Sequence, residues 1–207
     1  MMYIYIMPLL VLVRHGQSTW NLENRFTGET DIPLTEAGRD EARLAGTKLK
    51  GIPFYHGFTS VLQRAIDTMT LLLETADQPN LPVTRNRALN ERNYGRLQGL
   101  NKKEVAKQYG DGQVALWRRS YATRPPGGES LADTAARVIP YYQTAIEPLL
   151  KEPKDILVVA HGNSLRSLVL FLEQIGEEAI VDFDLPTGLP RRYVLDGNGK
   201  VESVGYL

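Results

Sequence analysis

Two apolar runs in this chain end on the same dipeptide. "VLVRHG" stops at His15-Gly16, and "VVAHGN" stops at His161-Gly162. An imidazole in such a place can act as a nucleophile, as an acid or base, or as a metal ligand. The glycine after it allows a sharp turn and lets a ligand approach backbone N–H groups. The neighbouring charges choose between metal and nucleophile. Arg14 abuts His15, and Arg64 in "QRAIDT" lies just past the next strand-to-helix junction. Crowded cations repel a divalent ion and attract phosphate, whose oxygens arginine matches in bidentate fashion. The reading is an anion pocket with a neutral histidine nucleophile. One ring nitrogen is held as a donor, and the other is free to attack phosphorus. No metal is called for. The third histidine, His56 in "FYHGF", sits mid-strand with no helix start after it and reads as structural.

Positioning these groups falls to alternating strands and helices. Leu9 to Val13 reads as a strand buried on both faces, as in a parallel sheet. A helix follows, with Thr35 as N-cap and Gly51 as its stop. "FYHGFTS" is a second strand, and its helix begins from Ser60 as N-cap. "PVTRNRALNERNYG" is a short strand running into a loop. "NKKEVAKQYGDGQVALWRRSY" is mostly helical, and "SLADTAARVIPYYQTAIEPLLK" is helical with an interruption at Pro140. "DILVVAHGNS" and "SLRSLVLFLEQIG" repeat the strand-helix pattern. "RRYVLD" and "KVESVGYL" form a late strand pair turning at Asp196-Gly197. This alternation predicts an α/β fold, three layers (α/β/α) around a mostly parallel sheet. In such sheets ligands bind beyond the carboxyl ends of the strands, so both imidazoles should meet at one edge.

Composition narrows the classes. The 207 residues suit a single domain, with its core from about residue 8, and no repeat or linker divides them. With 24 basic and 24 acidic residues, no global field recruits nucleic acid or an anionic membrane. There is no cysteine, which removes disulfides and thiolate chemistry and suits a cytoplasmic protein. "MMYIYIMPLLVLV" lacks a basic start and a cleavage site, and it is shorter than the about 20 apolar residues of a membrane span. It reads as the first strand with extra residues in front, and Met7 is a candidate start.

The motifs "VRHGQSTWN", "TSVLQRAIDT", "LNERNYG", "LQGLNK", "WRRSY" and "AHGNSLR" occur in this order. Together they resemble the 2,3-bisphosphoglycerate-dependent phosphoglycerate mutases of the histidine phosphatase superfamily. The match runs from about Leu9 to the end of the sequence. "RHG" alone would name only the superfamily, whereas "LNERNYG", "GLNK" and "RR" point to the mutase branch. The resemblance implies a phosphoglycerate mutase-like fold. It also implies interconversion of 3- and 2-phosphoglycerate in glycolysis and gluconeogenesis, primed by 2,3-bisphosphoglycerate and without metal. It makes His15 the residue that becomes phosphohistidine, with Arg14, Asn21, Arg64 and His161 around the transferring group. Glu91 is then the general acid/base for the substrate hydroxyl. Arg92, Tyr94, Lys102, Arg118 and Arg119 form the distal anion grip. Ser18, Thr19, Thr27 and Gly28 are loop contributors, and Gly162 and Asn163 stand near the phosphate. Gly16, Gln17, Trp20 and Asn93 come with the same motifs as binding positions. Without the family, Arg118-Arg119 would be a solvated helix pair, since consecutive helical residues diverge by about 100°. Glu91 would likewise be a surface partner of Arg92, and Ser18, Thr19 and Ser164 ordinary helix caps. The partners implied are small phosphoglycerates. Family members vary in oligomeric state, so a homodimer or homotetramer is left open.

Some positions depart from the pattern. Glu29 stands in "TGETD" where a tryptophan is frequent, and Asn93 where histidine or another residue is often found. Only Gly127-Gly128 separate Pro125-Pro126 from Glu129, where longer mutases carry an extra segment. The sequence ends at "SVGYL", whereas longer mutases continue in a tail that helps close the site. A shorter-lived phosphoenzyme and a larger bisphosphatase side activity than in tailed relatives are expected on that ground, because water exclusion protects such an intermediate. Two other functions fit part of the pattern. A histidine phosphatase would share His15, Arg14, Arg64 and His161 without needing the remaining motifs. A non-catalytic binding module would have no use for the nucleophile.

Overall fold

The first strand is fully buried from Leu10 to Val13, as its unbroken apolar run requires. The structure is a computed structural model that describes residues 7–207. The reading of the segment before Met7 as extra residues lies outside the described residues. Strand β1 (Leu9–Arg14) is followed by α1 (Thr19–Leu22), α2 (Glu36–Lys48), β2 (Phe54–Thr59), α3 (Gln63–Thr75) and β3 (Val83–Arg85). Then come α4 (Lys102–Tyr109), α5 (Asp111–Arg119) and α6 (Leu131–Tyr141). The chain closes with β4 (Asp155–Ala160), α7 (Gly162–Glu173), α8 (Glu177–Asp182), β5 (Arg191–Leu195) and β6 (Val201–Tyr206). The six strands form one sheet in the order β3-β2-β4-β1-β5-β6. β1, β2, β3 and β4 run parallel, while β5 and β6 are antiparallel at one edge.

Alternation along the strands divides the core into two faces. Val11 and Val13 pack with Ala45, Leu49, Met69 and Leu72 under α2 and α3. Leu10 and Leu12 pack with Leu131, Val138, Leu165 and Leu168 under α6 and α7. The three-layer expectation therefore holds. A smaller cluster of Phe26, Leu97, Val105, Val114 and Trp117 anchors α4 and α5 beside the sheet.

Several local expectations are corrected. Thr35 caps α2 as expected, accepting from the Gly38 amide, but the helix ends at Lys48, short of Gly51. Ser60 is not the N-cap of α3. The helix begins at Gln63 with Leu62 in the cap position, and Ser60 serves the site instead. The "NKKEV…RRSY" segment is two helices parted at Gly110, whose φ of 85° favours glycine. Pro140 lies inside α6, one residue before its end. The chain then continues as a π turn (Tyr142–Ile146) and a 3-10 turn (Glu147–Lys151). Pro140 has no N–H to donate to the carbonyl four residues back, so the α ladder is already interrupted just before the pitch changes. The six residues of α8 carry too little periodicity to announce a helix in the sequence.

Candidate active site

Parallel pairing puts the two histidines side by side. Arg14 is opposite Ala160 in the ladder, and the His15 amide donates to the Ala160 carbonyl at 3.0 Å. The next residues are therefore neighbours, with His15 and His161 ring centroids 4.9 Å apart. Both are buried.

The bonds of His15 fix its tautomer. Nδ1 is 2.7 Å from the Gly16 carbonyl, which can only accept, so Nδ1 carries the hydrogen. Nε2 then bears the lone pair, and Arg64 Nε donates to it at 3.2 Å. Burial, then Arg64 and Arg14, hold His15 well below the ordinary histidine value, so it is neutral at neutral pH. Gly16 supplies more than the carbonyl. A Cβ there would stand 2.0 Å from the Gly38 backbone oxygen, so only glycine lets the loop pack on α2.

His161 is lowered likewise, first by burial and then by Arg64. Its Nε2 lies 2.7 Å from Ser60 Oγ, which also accepts from the Leu62 amide at 3.2 Å. Its Nδ1 is buried and has no partner among the described residues. A Ser60 hydroxyl that donates to Nε2 makes Nδ1 an N–H, the tautomer that suits an anion, and the ring packs edge-on against His15. Arg14 is similar. Nη1 donates to the Leu185 carbonyl at 2.8 Å and pairs with Asp184 at 3.6 Å, while its buried Nε is unpartnered. Arg64 is fully buried, with Nη1 and Nη2 fixed by the Thr30 and Gly28 carbonyls at 2.9 and 2.8 Å. Burial lowers it to about 10, which still leaves it charged at neutral pH.

Glu91 is buried and does not pair with the Arg92 side chain. The Arg92 amide, the Asn163 amide and Asn163 Nδ2 donate to its Oε1 at 2.8, 3.0 and 3.1 Å. This leaves Oε2 to face a ligand. The cavity, of about 210 Å³, is lined by Arg14, His15, Asn21, Thr27, Gly28, Arg64, Glu91, Tyr94, Lys102, Arg118, Arg119, Gly162 and Asn163. The arginine pair of α5 shares one cavity despite the angle between consecutive residues. Among the described residues no group of three or more His, Cys, Asp or Glu side chains is arranged to hold a metal.

Other expected positions do not line the cavity, and His161 is one of them, buried beside His15. Gln17 is turned to α2, its amide on Glu41 and its side chain on Thr35 Oγ1. Ser18 caps α1 in a reciprocal box with Asn21, which holds Asn21 Oδ1 and orients its amide. The Thr19 amide donates to the Pro33 carbonyl, and Trp20 lies against Gly99. The Gly16 contacts face α2 and His15. Asn93 binds Glu29 Oε2 at 3.1 Å, and Asn90 binds Oε1 at 2.9 Å, so the departure at Glu29 ties its loop to the segment of Glu91. Arg92 is fully buried behind the wall, stacked over Tyr94 and donating to Tyr94 Oη at 2.7 Å and the Arg118 carbonyl at 3.1 Å. Its Nε and Nη1 have no partner among the described residues. His56 binds Thr84 Oγ1, away from the cavity, as expected of a structural residue. Reading the sequence missed Arg166, which lines the cavity and is buried among apolar residues of α7. It also missed the part that Ser60 plays.

Lys102 gives a pH prediction. Burial, then Arg118 and Arg14, lower its ammonium to about 8. The group is charged below that pH and loses its charge above it. For an anionic substrate kcat/KM should fall as pH rises through about 8. Lys102→Met should be about 10- to 100-fold lower at neutral pH and lack that step, since a hydrogen bond to a charged group contributes about 1.5–3 kcal/mol. A pH series on both proteins checks this.

An arginine-lined pocket that exposes His15, with His161 buried beside it at the carboxyl end of a parallel sheet, defines a class. The profile of the histidine phosphatase superfamily (branch 1) matches residues 10–203, and the chain belongs to that family. Two relatives, each called 2,3-bisphosphoglycerate-dependent phosphoglycerate mutase, narrow the likeness. The protein of Cytophaga hutchinsonii is 54% identical over 97% of this chain and 94% of its own. That of Methylocella silvestris is 56% identical over 94% and 96%. Among solved structures, a mycobacterial glucosyl-3-phosphoglycerate phosphatase, described in complex with VO3, superposes with a TM-score of 0.81 at 28% identity. It covers 97% of this chain and 96% of that one. Among the described residues no helix is long and apolar enough to cross a membrane.

Proposed function

We propose that the chain interconverts 3-phosphoglycerate and 2-phosphoglycerate through phosphohistidine at His15, with 2,3-bisphosphoglycerate as primer. One observation carries the reading: Glu91 lines the same cavity as His15 and the cations Lys102, Arg118 and Arg119. A phosphatase needs the nucleophile and its arginines. An isomerase must also hold the rest of an anionic substrate while protons move on and off its hydroxyls. The primer has two phosphates and a carboxylate. The cavity cations and the unpartnered Arg14 Nε and His161 Nδ1 suit it. When bound, it supplies the phosphoryl group that charges His15.

His15 Nε2 attacks phosphorus as the ester P–O bond breaks, and Arg64 Nε, which sits on that lone pair in the free protein, must first move onto a phosphoryl oxygen. Arg14 Nε and His161 Nδ1 supply further donors to the charge that develops. Glu91 gives a proton to the departing alkoxide and takes one from the hydroxyl phosphorylated next. Lys102, Arg118, Arg119 and Tyr94 hold the part that does not react. Small phosphoglycerates in the cytoplasm are the partners this implies.

A coupled assay of 2-phosphoglycerate from 3-phosphoglycerate tests the reading. It is run in EDTA, with and without a trace of 2,3-bisphosphoglycerate, and with released phosphate recorded in parallel. Isomerisation stimulated by the bisphosphate and resistant to EDTA is expected. Phosphate release without isomerisation would make the chain a phosphatase and leave the Arg118, Arg119 and Lys102 group unexplained.

A further inference from the structure

We propose that Arg166 is a positioning residue for Glu91, acting through the side-chain amide of Asn163. The inference rests on the reading of Glu91 as the acid/base. Asn163 and Arg166 are three residues apart on α7 and so share a face. Arg166 Nη1 donates to Asn163 Oδ1 at 3.2 Å. That bond decides which way the amide points. With Oδ1 held by a cation, Nδ2 is turned to Glu91 Oε1 at 3.1 Å, beside the Asn163 amide at 3.0 Å. Free to flip, the amide would set Oδ1 against the carboxylate and repel it.

The far side of the guanidinium is anchored as firmly. Nε donates to the Ile180 carbonyl at 3.1 Å, and Nη2 donates to the carbonyls of Ile180 and Val181, the latter at 3.0 Å. These carbonyls belong to the last turn of α8, where no helical N–H reaches them. A cation there satisfies them and suits the helix's negative end. The chain of contacts thus runs from α8 through Arg166 and Asn163 to Glu91.

The bonding pattern separates this role from that of a substrate grip. Arg166 lines the cavity, yet four of its five N–H groups are committed to protein acceptors. Arg14 differs, because its Nε is unpartnered. Among the described residues no carboxylate pairs with Arg166, so charge neutralisation does not explain a cation that is only 5% exposed. Placing an arginine there is costly, and an apolar residue would fill the space at less cost. What the arginine adds is a fixed direction for the Asn163 amide.

A double-mutant cycle reads this directly. Arg166→Met should lower the isomerisation kcat about 10- to 100-fold with little change in KM, the size of effect that small misplacement of a catalytic group produces. Arg166→Lys, which keeps the charge but cannot span both the α8 carbonyls and Asn163, should recover only part of it. In a Glu91→Gln background, Arg166→Met should cause no further loss, because the group it positions is already gone. Losses that multiply in the double variant, or a KM effect without a kcat effect, would overturn the proposal. They would make Arg166 a structural or substrate-binding residue. If Arg166→Met does not fold, Asn163→Ala takes its place in the same cycle with the same expected non-additivity. Should Glu91→Gln alone leave kcat unchanged, the reading of Glu91 fails first, and this proposal falls with it.

Discussion

Replacing His15 with alanine should abolish both phosphoenzyme formation and turnover, a loss of about 10⁵-fold or more, or roughly 7 kcal/mol of transition-state stabilisation. The size follows from the geometry. His15 Nε2 is the lone pair that Arg64 Nε addresses, and Gly16 fixes the tautomer that exposes it. His161 cannot take over, because its Nε2 is committed to Ser60. The fold should tolerate the change, since the contacts that tie this turn to α2 and α3 are made by the backbone of Gly16 and Gln17. Alanine also leaves Arg14 and Arg64 in place, so phosphoglycerate should still bind. Binding by calorimetry beside a null turnover assay checks the prediction. Residual isomerisation within about tenfold of the parent would remove His15 from the chemistry.

Glu91→Gln should be the second largest effect, lowering kcat by about 10²- to 10⁴-fold, the range of a lost general acid or base. The substitution is sparing. The three N–H donors on Oε1 require an oxygen there, so glutamine keeps those bonds and puts its NH₂ group where Oε2 stood. An amide nitrogen in that place can neither give nor take the required proton. The cations nearby lose an attractive neighbour, since Glu91 favours the charged forms of Arg64 and Lys102. Lys102 is then lowered further from about 8, but the substrate no longer meets the negative carboxylate, and the two effects oppose each other. KM should therefore change little. A large rise in KM with kcat unchanged would contradict the role and make Glu91 a binding residue.

What could be read from the sequence was what local chemistry writes into adjacent residues. A strand buried on both faces must be apolar, so its abrupt end in Arg14-His15 or Ala160-His161 was visible without a structure. Parallel order then brought the histidines together. Glu91, Lys102 and the Arg118-Arg119 pair are different. Each sits on a loop or helix whose local pattern suits a solvated charge, and only the resemblance singled them out. Side-chain direction was the weakest point. Gln17, Thr19 and Trp20 lie within the same motif as His15 but turn from the cavity, because the α1 cap and the packing on α2 dictate their rotation. Ser60 precedes an amphipathic run and so looked like a cap, but the His161 ring across the sheet claims its hydroxyl. Arg166 was hidden for the same reason. Its partners are carbonyls of α8, fourteen and fifteen residues away in sequence, and no spacing rule announces them. A basic residue among the apolar positions of "SLRSLVL", three after Asn163, was the one available signal.

The most direct test of the whole account is to treat the protein with 2,3-bisphosphoglycerate and measure the intact mass, then map the modified residue under alkaline conditions that preserve phosphohistidine. The account expects one added phosphoryl group per chain, on His15, discharged when phosphoglycerate is added and absent from His15→Ala. An unmodified protein that still isomerises phosphoglycerate, or a phosphoryl group found on His161 or any other residue, would contradict it.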